Sequence, residues 1–192
     1  DGGSGIDKTS VDTGDFSLSS GSISSIDTGS VTDGATETQT VTITLTSPVD
    51  TDSVTVSPQP DGIDDRNGNT RSSGNKTATG MDGVGPTFDA ASKVDDTTID
   101  VRIIDGVDVD ENSIDASDFS LSNGSISSIT PAERGSNATI EMNLSSRVDT
   151  KTVTVMIAGS IDDTSGSSLT TGAKSASNMD GVAPTVDSVS KT

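Results

Sequence analysis

The chain has 192 residues, with no cysteine or histidine, and its 30 acidic and 11 basic residues give a net charge of −19. The lack of cysteine and histidine excludes disulfide bonds, thiol chemistry and the Ser/His/Asp and Cys/His sets of nucleophilic catalysis. The acidic excess repels nucleic acid and anionic membranes, and no run of 18 apolar residues predicts a membrane-spanning segment.

The apolar content is low for a folded protein. Leucine, isoleucine, valine and phenylalanine account for 39 of the 192 residues, which with this net charge lies near the boundary of intrinsic disorder. Residues 41–45 and 98–103, however, alternate apolar and polar side chains, the pattern of a strand with one buried face. We therefore predict a folded, all-β chain.

The chain is a tandem repeat. Residues 118–129 repeat residues 15–26 with eleven of twelve identities, and shorter motifs that begin at Val49, Ile63 and Met81 recur at Val148, Ile161 and Met179. The offset between copies falls from 103 to 98 along the chain, and the losses lie in stretches rich in Gly, Ser, Thr and Asp. A period of about 100 residues is the size of a domain rather than of a solenoid unit.

The first copy, residues 1–82, is predicted to lack two strands. Residues 1–14 correspond to about 104–117 of the second copy, so nothing in the first copy matches residues 83–103. An open sandwich of this kind exposes unpaired backbone groups and an apolar face.

The second copy, residues 83–181, is predicted to be complete. Pro86 predicts that its first strand lies at a sheet edge, because proline cannot donate to a ladder. Ile126 and Ile129 are three residues apart, which predicts a strand end or a β-bulge. We expect residues 138–144 to pair with residues 152–157. The seven predicted strands are 84–93, 97–104, 118–122, 124–129, 138–144, 152–157 and 168–175, a spacing typical of an antiparallel sandwich of the immunoglobulin kind.

Residues 182–192 repeat residues 84–94 and are predicted to form a further first strand. Two interpretations stay open. In one, the chain is a window of a longer array, and this strand belongs to the following repeat. In the other, the segment from Val182 to Lys191 is donated to the incomplete first copy of a neighbouring subunit, and repeated head-to-tail contact makes a filament.

Several motifs resemble the tandem bacterial and archaeal Ig-like repeats of surface-layer proteins and large adhesins. They are Asp108-Val-Asp-Glu-Asn-Ser-Ile-Asp-Ala-Ser-Asp-Phe-Ser-Leu, Ile161-Asp-Asp-Thr-Ser-Gly-Ser-Ser-Leu and Asp180-Gly-Val-Ala-Pro-Thr-Val, with two counterparts that begin at Ile63 and Asp82. The resemblance covers nearly the whole chain. It implies tandem immunoglobulin-like antiparallel β-sandwiches of about seven strands, an extracellular setting, and a role as spacer, stalk, layer or fibre with calcium ions at the domain junctions.

The acidic residues are mainly aspartate, 26 of 30, and this bias resembles the proteins of extreme halophiles. An ordinary acidic secreted domain is the alternative. In either case we expect the fold to lose stability at low ionic strength, where the like charges are unscreened.

Loop carboxylates and amides provide candidate calcium ligands, since calcium takes six to eight oxygen ligands in flexible geometry. Asp82 and Asp180 are predicted to lie at the hinge between domains. Asn67 and Asn69 become Ser165 and Ser167 in the second copy, so we expect at least one copy to bind weakly; solvated loop carboxylates are the alternative. The candidate ligands are Asp64, Asp65, Asn67, Asn69, Asp82, Asp105, Asp108, Asp110, Asp162, Asp163 and Asp180.

Four Asn-X-Ser/Thr sequons are candidate glycosylation sites, a number little above chance for this composition. They lie at Asn75, Asn123, Asn137 and Asn143.

These observations together predict a non-enzymatic extracellular structural module. It would form a rigid fibre, filament or surface layer from end-to-end domains, with cations at the junctions and other repeats or copies of itself as partners. The alternative is the stalk of an adhesin or virus-associated fibre whose binding tip lies elsewhere. Paired-carboxylate hydrolysis needs a cleft with contrasting environments, and a carbohydrate-binding module needs exposed aromatic side chains, which three phenylalanines at strand positions do not supply.

Overall fold

The computed structural model describes residues 6–29, 31–32, 38–60, 62–70 and 74–190. The chain divides into two compact units, Asp1–Gly83 and Val84–Thr192. The prediction of an all-β chain is confirmed, since the described elements are antiparallel strands and four 3-10 helices of three residues each. None of these helices is long or apolar enough to cross a membrane.

The first unit contains three small antiparallel sheets among its described residues. Their strand orders are β1-β6-β7, β2-β5 and β3-β4. Two 3-10 helices, Lys8–Ser10 and Thr13–Asp15, precede the first strand. The strands are β1 (Phe16–Leu18), β2 (Ile23–Asp27), β3 (Val31–Thr32), β4 (Thr38–Gln39), β5 (Thr42–Leu45), β6 (Ser53–Pro58) and β7 (Lys76–Thr79).

The second unit is built from a four-stranded and a three-stranded antiparallel sheet. Their strand orders are β11-β12-β9-β8 and β10-β13-β16, and a short hairpin, β14-β15, links the last two strands of the smaller sheet. The strands are β8 (Thr87–Lys93), β9 (Thr98–Ile104), β10 (Phe119–Leu121), β11 (Ile126–Glu133), β12 (Asn137–Leu144), β13 (Thr152–Ile157), β14 (Ile161–Asp162), β15 (Ser168–Leu169) and β16 (Ala173–Ser177).

The core of the second unit lies between these two sheets. Ile99, Val101 and Ile103 share the predicted face of β9 and are fully buried. Alternate residues of β12 and β13 face them, including Met142 and Val153, which are also fully buried. Burial of each such side chain stabilises the fold by about 1.5–3 kcal/mol, so a narrow apolar seam is sufficient for a small sandwich.

The repeated Asp-Phe motif has a structural reason in both units. Asp118 closes a capping box with Asp115, because each side chain accepts a hydrogen bond from the backbone at the other end of the 3-10 helix Ala116–Asp118. Phe119 follows at once and enters the core with 5% of its surface exposed. Asp12 and Asp15 form the same capping box before Phe16.

Two details predicted from the sequence are confirmed, and two are wrong. The predicted last strand, 168–175, is two strands, β15 and β16, that belong to different sheets. The ladder between β11 and β12 is irregular between Ile126 and Ser128, and β8, which follows Pro86, lies at a sheet edge. The expected pairing of residues 138–144 with residues 152–157 is wrong. Strand β12 pairs with β9 and β11, whereas β13 pairs with β10 and β16. The two strands belong to opposite sheets. Both contribute side chains to the core that lies between the sheets.

Candidate cation site in the second unit

Among the carboxylates of the second unit whose burial the structure describes, Asp163 is the least exposed, with 2% of its surface exposed. It follows β14 and opens a tight turn in which Oδ1 accepts the N–H groups of Ser165, at 2.7 Å, and Ser167, at 2.9 Å. Its backbone forms a bridge with Val109. The second oxygen, Oδ2, is buried and has no hydrogen-bond donor. A buried carboxylate oxygen without a donor is costly, so a ligand at this position would stabilise the fold.

Asp105 lies close to Asp163. It comes directly after β9, and its Oδ2 accepts the N–H of Val107 at 3.0 Å. A carboxylate oxygen of Asp105 lies within 4.8 Å of one of Asp163. Two anionic groups at this separation in a poorly solvated place repel each other, and a cation between them would replace the repulsion by attraction. Oxygen-only ligation of this kind suits a hard cation such as calcium.

Local hydrogen bonds hold this turn in place. The hydroxyl of Ser113 donates to the carbonyl of Asp110 at 2.6 Å and accepts the N–H of Asp162 at 2.9 Å. The N–H of Thr164 also donates to the carbonyl of Asp108 at 2.8 Å. Sequence reasoning missed Ser113 as a positioning residue. The signal was the recurrence of Ser10 three residues after Asp7, because the Ser10 hydroxyl accepts the N–H of Asp64 at 3.1 Å in the first unit.

The equivalent turn of the first unit has a different polar arrangement. Asp65 Oδ1 accepts the N–H groups of Asn67, at 2.8 Å, and Asn69, at 2.9 Å, as in the second unit. Its Oδ2, however, accepts a further hydrogen bond of 2.8 Å from the side-chain Nδ2 of Asn69. Ser167 stands at that position in the second unit, and its shorter side chain makes no hydrogen bond to Asp163 Oδ2. The replacement of Asn69 by Ser167 therefore leaves an oxygen available in the second unit.

The other candidate ligands take several local roles. Asp110 accepts the N–H of Asn112 and caps a 3-10 helix. Asp108 is exposed and Asp64 is half-buried. Asp180 is exposed, and its Oδ1 accepts the N–H of Val182 at 3.3 Å. Asp82 is half-buried beside the last residue of the first unit, and its backbone pairs with Val49.

Asp162 is a candidate ligand of the second unit whose pKa is lowered by its neighbours. Its Oδ1 accepts the hydroxyl groups of Ser168, at 2.6 Å, and Ser160, at 3.0 Å. The Ser168 hydroxyl first, and the Ser160 hydroxyl second, lower the pKa of Asp162 below its ordinary value. This carboxylate is therefore ionised at neutral pH, and its contacted oxygen already has two donors.

The candidate glycosylation sites occupy different environments. Asn75, Asn123 and Asn137 are exposed. Asn143 lies within β12, where Oδ1 accepts the hydroxyl of Thr98 at 3.4 Å and Nδ2 donates to Glu141 at 3.3 Å. All four stay predictions.

Comparison with known proteins adds no relative. No protein-family model matches the chain, and no curated protein or solved structure shows significant similarity to it. Inferences about function therefore depend on the two units themselves and on the motifs quoted above.

Proposed function

We propose that this chain is a non-enzymatic extracellular structural module in which Ig-like sandwiches follow one another end to end in a fibre, filament or surface layer. Cations bound by loop carboxylates, calcium first among them, stiffen the array. The role is mechanical, because each domain buries a small core and neutralised carboxylates restrict bending between neighbours.

The strand order of the second unit is the observation that carries the proposal. An immunoglobulin constant-type sandwich has strands A, B, E and D in one sheet and C, F and G in the other. Named in chain order without the short hairpin, β8, β9, β12 and β11 correspond to A, B, E and D, and β10, β13 and β16 correspond to C, F and G. This order supports an Ig-like assignment, and repetition of such units is typical of extracellular stalks and layers.

Recurrence of the unit ends supports an end-to-end arrangement. The motif Met81-Asp-Gly-Val appears at the end of the first unit and returns as Met179-Asp-Gly-Val. In each copy the aspartate backbone pairs with an equivalent valine, Val49 or Val148, so the chain leaves both units by the same local path.

The unpartnered Oδ2 of Asp163 supports the bound cation. This oxygen is buried and lies close to Asp105. A divalent cation bound there would also reduce the net charge of −19. Binding of a cation here would raise the free energy of unfolding of the second unit, because the unfolded chain has no preformed site.

A distance measurement between spin labels tests the mechanical role. Ser47 and Ser146 are exposed equivalents in the two units, and the chain has no cysteine of its own, so Ser47→Cys with Ser146→Cys places one label in each. At molar sodium chloride we expect a narrow distance distribution with calcium and a broader one after chelation. The same width in both conditions, with calcium binding verified, would refute the stiffening role.

Electron microscopy of the purified material tests the assembly. Filaments or sheets support the proposal, and chelation or removal of salt is expected to loosen them. Isolated particles under all conditions would contradict it.

A further inference from the structure

One three-stranded sheet in each unit, β1-β6-β7 or β10-β13-β16, has an outer face made mainly of serine and threonine. Val153 and Val155 of β13 point into the core and are fully buried, so the residues that alternate with them point away from it. We call the outward positions of each sheet its hydroxyl face. They are Ser120, Thr152, Thr154, Met156, Ala173, Ser175 and Ser177 in the second unit, and Ser17, Ser53, Thr55, Ser57, Thr77 and Thr79 in the first.

The composition of these two faces departs from that of the chain. Eleven of the thirteen positions are serine or threonine, and none of the thirteen is charged. Serine and threonine together are 61 of the 192 residues and charged residues are 41, so an average set of thirteen has about four hydroxyl and about three charged side chains. The strongly acidic chain therefore has an uncharged face in each unit.

The larger sheet of the second unit, by contrast, has charged residues on its outer face. Asp100 and Arg102 alternate with the three buried residues of β9, and Glu141 lies between two buried residues of β12. Arg102 Nε donates a hydrogen bond of 2.6 Å to Asp89. Outward strand positions of this fold therefore accept charged side chains, and folding alone does not require the smaller sheet to be uncharged.

Cross-strand contacts hold the hydroxyl groups in matching places in the two units. Thr154 Oγ1 lies 2.9 Å from Ser175 Oγ, and Thr55 Oγ1 lies 3.0 Å from Thr77 Oγ1. A hydroxyl group has one donor and two acceptor positions, so each of these pairs can still make hydrogen bonds with a further group. The side chains are thus ordered by the sheet before any partner binds.

These properties fit a second copy of the same face. Hydroxyl groups both donate and accept, so two hydroxyl faces are complementary, whereas two carboxylate surfaces only accept and repel each other. Because each chain has a net charge of −19, two copies meet least repulsion where neither surface is charged. We propose that hydroxyl faces of two molecules bind face to face, and that arrays of this chain associate side by side through these contacts.

The area of the face sets the strength of one contact. Three strands of about five residues, spaced about 4.8 Å apart, cover roughly 250 Å², so one pair of faces buries roughly 500 Å². Stable interfaces bury about 1,200 Å² or more, so a single contact is weak and several act together along an array. The inference rests on the proposed function in taking the units to be arranged in such an array.

Charge substitutions on both hydroxyl faces test the contact. Ser175 and Thr77 are exposed equivalents, so Ser175→Asp with Thr77→Asp adds a negative charge to each face, and Ser175→Lys with Thr77→Lys adds a positive one. At molar sodium chloride and high protein concentration we expect both double variants to weaken self-association roughly tenfold or more, because each buries charges without partners. A response to net charge alone would have opposite signs for aspartate and lysine. Sedimentation over a concentration series measures the association.

A second pair of equivalent serines provides the matched control. Ser128 and Ser25 are exposed and lie outside the hydroxyl faces, on β11 and β2, so Ser128→Asp with Ser25→Asp should leave association unchanged. Cysteine labelling locates the contact, since the chain has no cysteine of its own. Ser175→Cys should react with a maleimide several-fold more slowly in assembled material than in dilute solution, and Ser128→Cys should react equally fast in both.

Three results would each overturn the inference. They are equal association of the parent, face variants and control; association weakened by aspartate but strengthened by lysine; and a parent chain that stays monomeric at every concentration, including one that binds a neutral polysaccharide through the same face. A monomeric parent whose label distances still narrow with calcium would leave the cation-stiffened module standing. Loss of association in both face variants, with label distances that do not respond to calcium, would support this inference and refute the stiffening role.

Discussion

In the first unit the side-chain amide of Asn69 donates a hydrogen bond of 2.8 Å to Oδ2 of Asp65. The second unit repeats the turn and its backbone hydrogen bonds but replaces that amide by the hydroxyl of Ser167, and Asp163 Oδ2 is left buried without a donor. The two turns therefore differ in whether Oδ2 of the aspartate has a donor, and the second copy adds a second carboxylate, Asp105, where the first copy has Gly2 in sequence.

Exchange of these two side chains tests that difference. Ser167→Asn should give Asp163 Oδ2 an amide donor, raise the free energy of unfolding of the ion-free protein by about 1 kcal/mol, and weaken calcium binding roughly tenfold. Calorimetric titration and urea unfolding measure the two effects. Asn69→Ser is the reciprocal control and should lower ion-free stability in the first unit. Tighter calcium binding by Ser167→Asn would contradict the assignment.

The effect on stability of removing the charge at Asp163 should change sign when a cation is bound. Without divalent cations, Asp163→Asn removes an uncompensated buried charge, so we expect urea unfolding at equal or higher denaturant concentration than in the parent chain. With saturating calcium the parent gains stability by mass action and the variant does not. Asp65→Asn serves as the matched variant in the first unit. Equal stabilisation of the parent and Asp163→Asn by calcium would place the ion elsewhere.

The repeated phenylalanine should matter more in the second unit than in the first. Phe119 is 5% exposed, and Phe119→Ala should cost about 3–5 kcal/mol of unfolding free energy. Phe16 is only half-buried, and Phe16→Ala should cost less, about 1–2 kcal/mol. Circular dichroism follows the unfolding, because the chain has no tryptophan or tyrosine. Equal losses would show that the two cores are equally closed.

Acid should unfold the protein through its hydrogen-bonded carboxylates. The Ser117 hydroxyl and then its N–H lower the pKa of Asp115, and the Thr9 hydroxyl and N–H do the same to the pKa of Asp7. A depressed folded-state pKa gives stability that is complete above the unfolded-state value of 3.8 and is lost as the pH falls below it through the folded-state value. We expect constant stability at molar salt from neutral pH to about 5, then a fall. Ser117→Ala should flatten that fall, measured by urea unfolding across pH.

Salt should stabilise the chain at neutral pH. The acidic side chains that give the net charge of −19 repel one another. The screening length of this repulsion is about 30 Å at 0.01 M salt and about 3 Å at 1 M. The melting temperature should therefore rise with sodium chloride, and more than with an equally concentrated neutral osmolyte. Identical melting temperatures at low and molar salt would contradict this.

Local sequence patterns were sufficient to predict most strands of the second unit, but the predicted strand 168–175 is two strands, β15 and β16, and β14 was not predicted. The alternation in residues 98–103 identified β9 and its three buried residues, and the three-residue spacing of Ile126 and Ile129 identified an irregular ladder. The partners of β12 and β13 were predicted wrongly, because two neighbouring amphipathic strands have the same pattern whether they share a sheet or face each other across a core.

The sequence by itself determined that this protein is an all-β tandem repeat with an acidic surface, since periodicity, duplication and charge are properties of the order of residues. Only the tertiary structure decided which carboxylate is buried without a hydrogen-bond donor and which sheet each amphipathic strand joins. Asp105 and Asp163 are far apart in the chain, and β12 and β13 have the same alternating pattern although they belong to opposite sheets. Burial and the absence of a hydrogen-bond donor depend on what folds against a residue, which the residue's own neighbours in sequence do not specify.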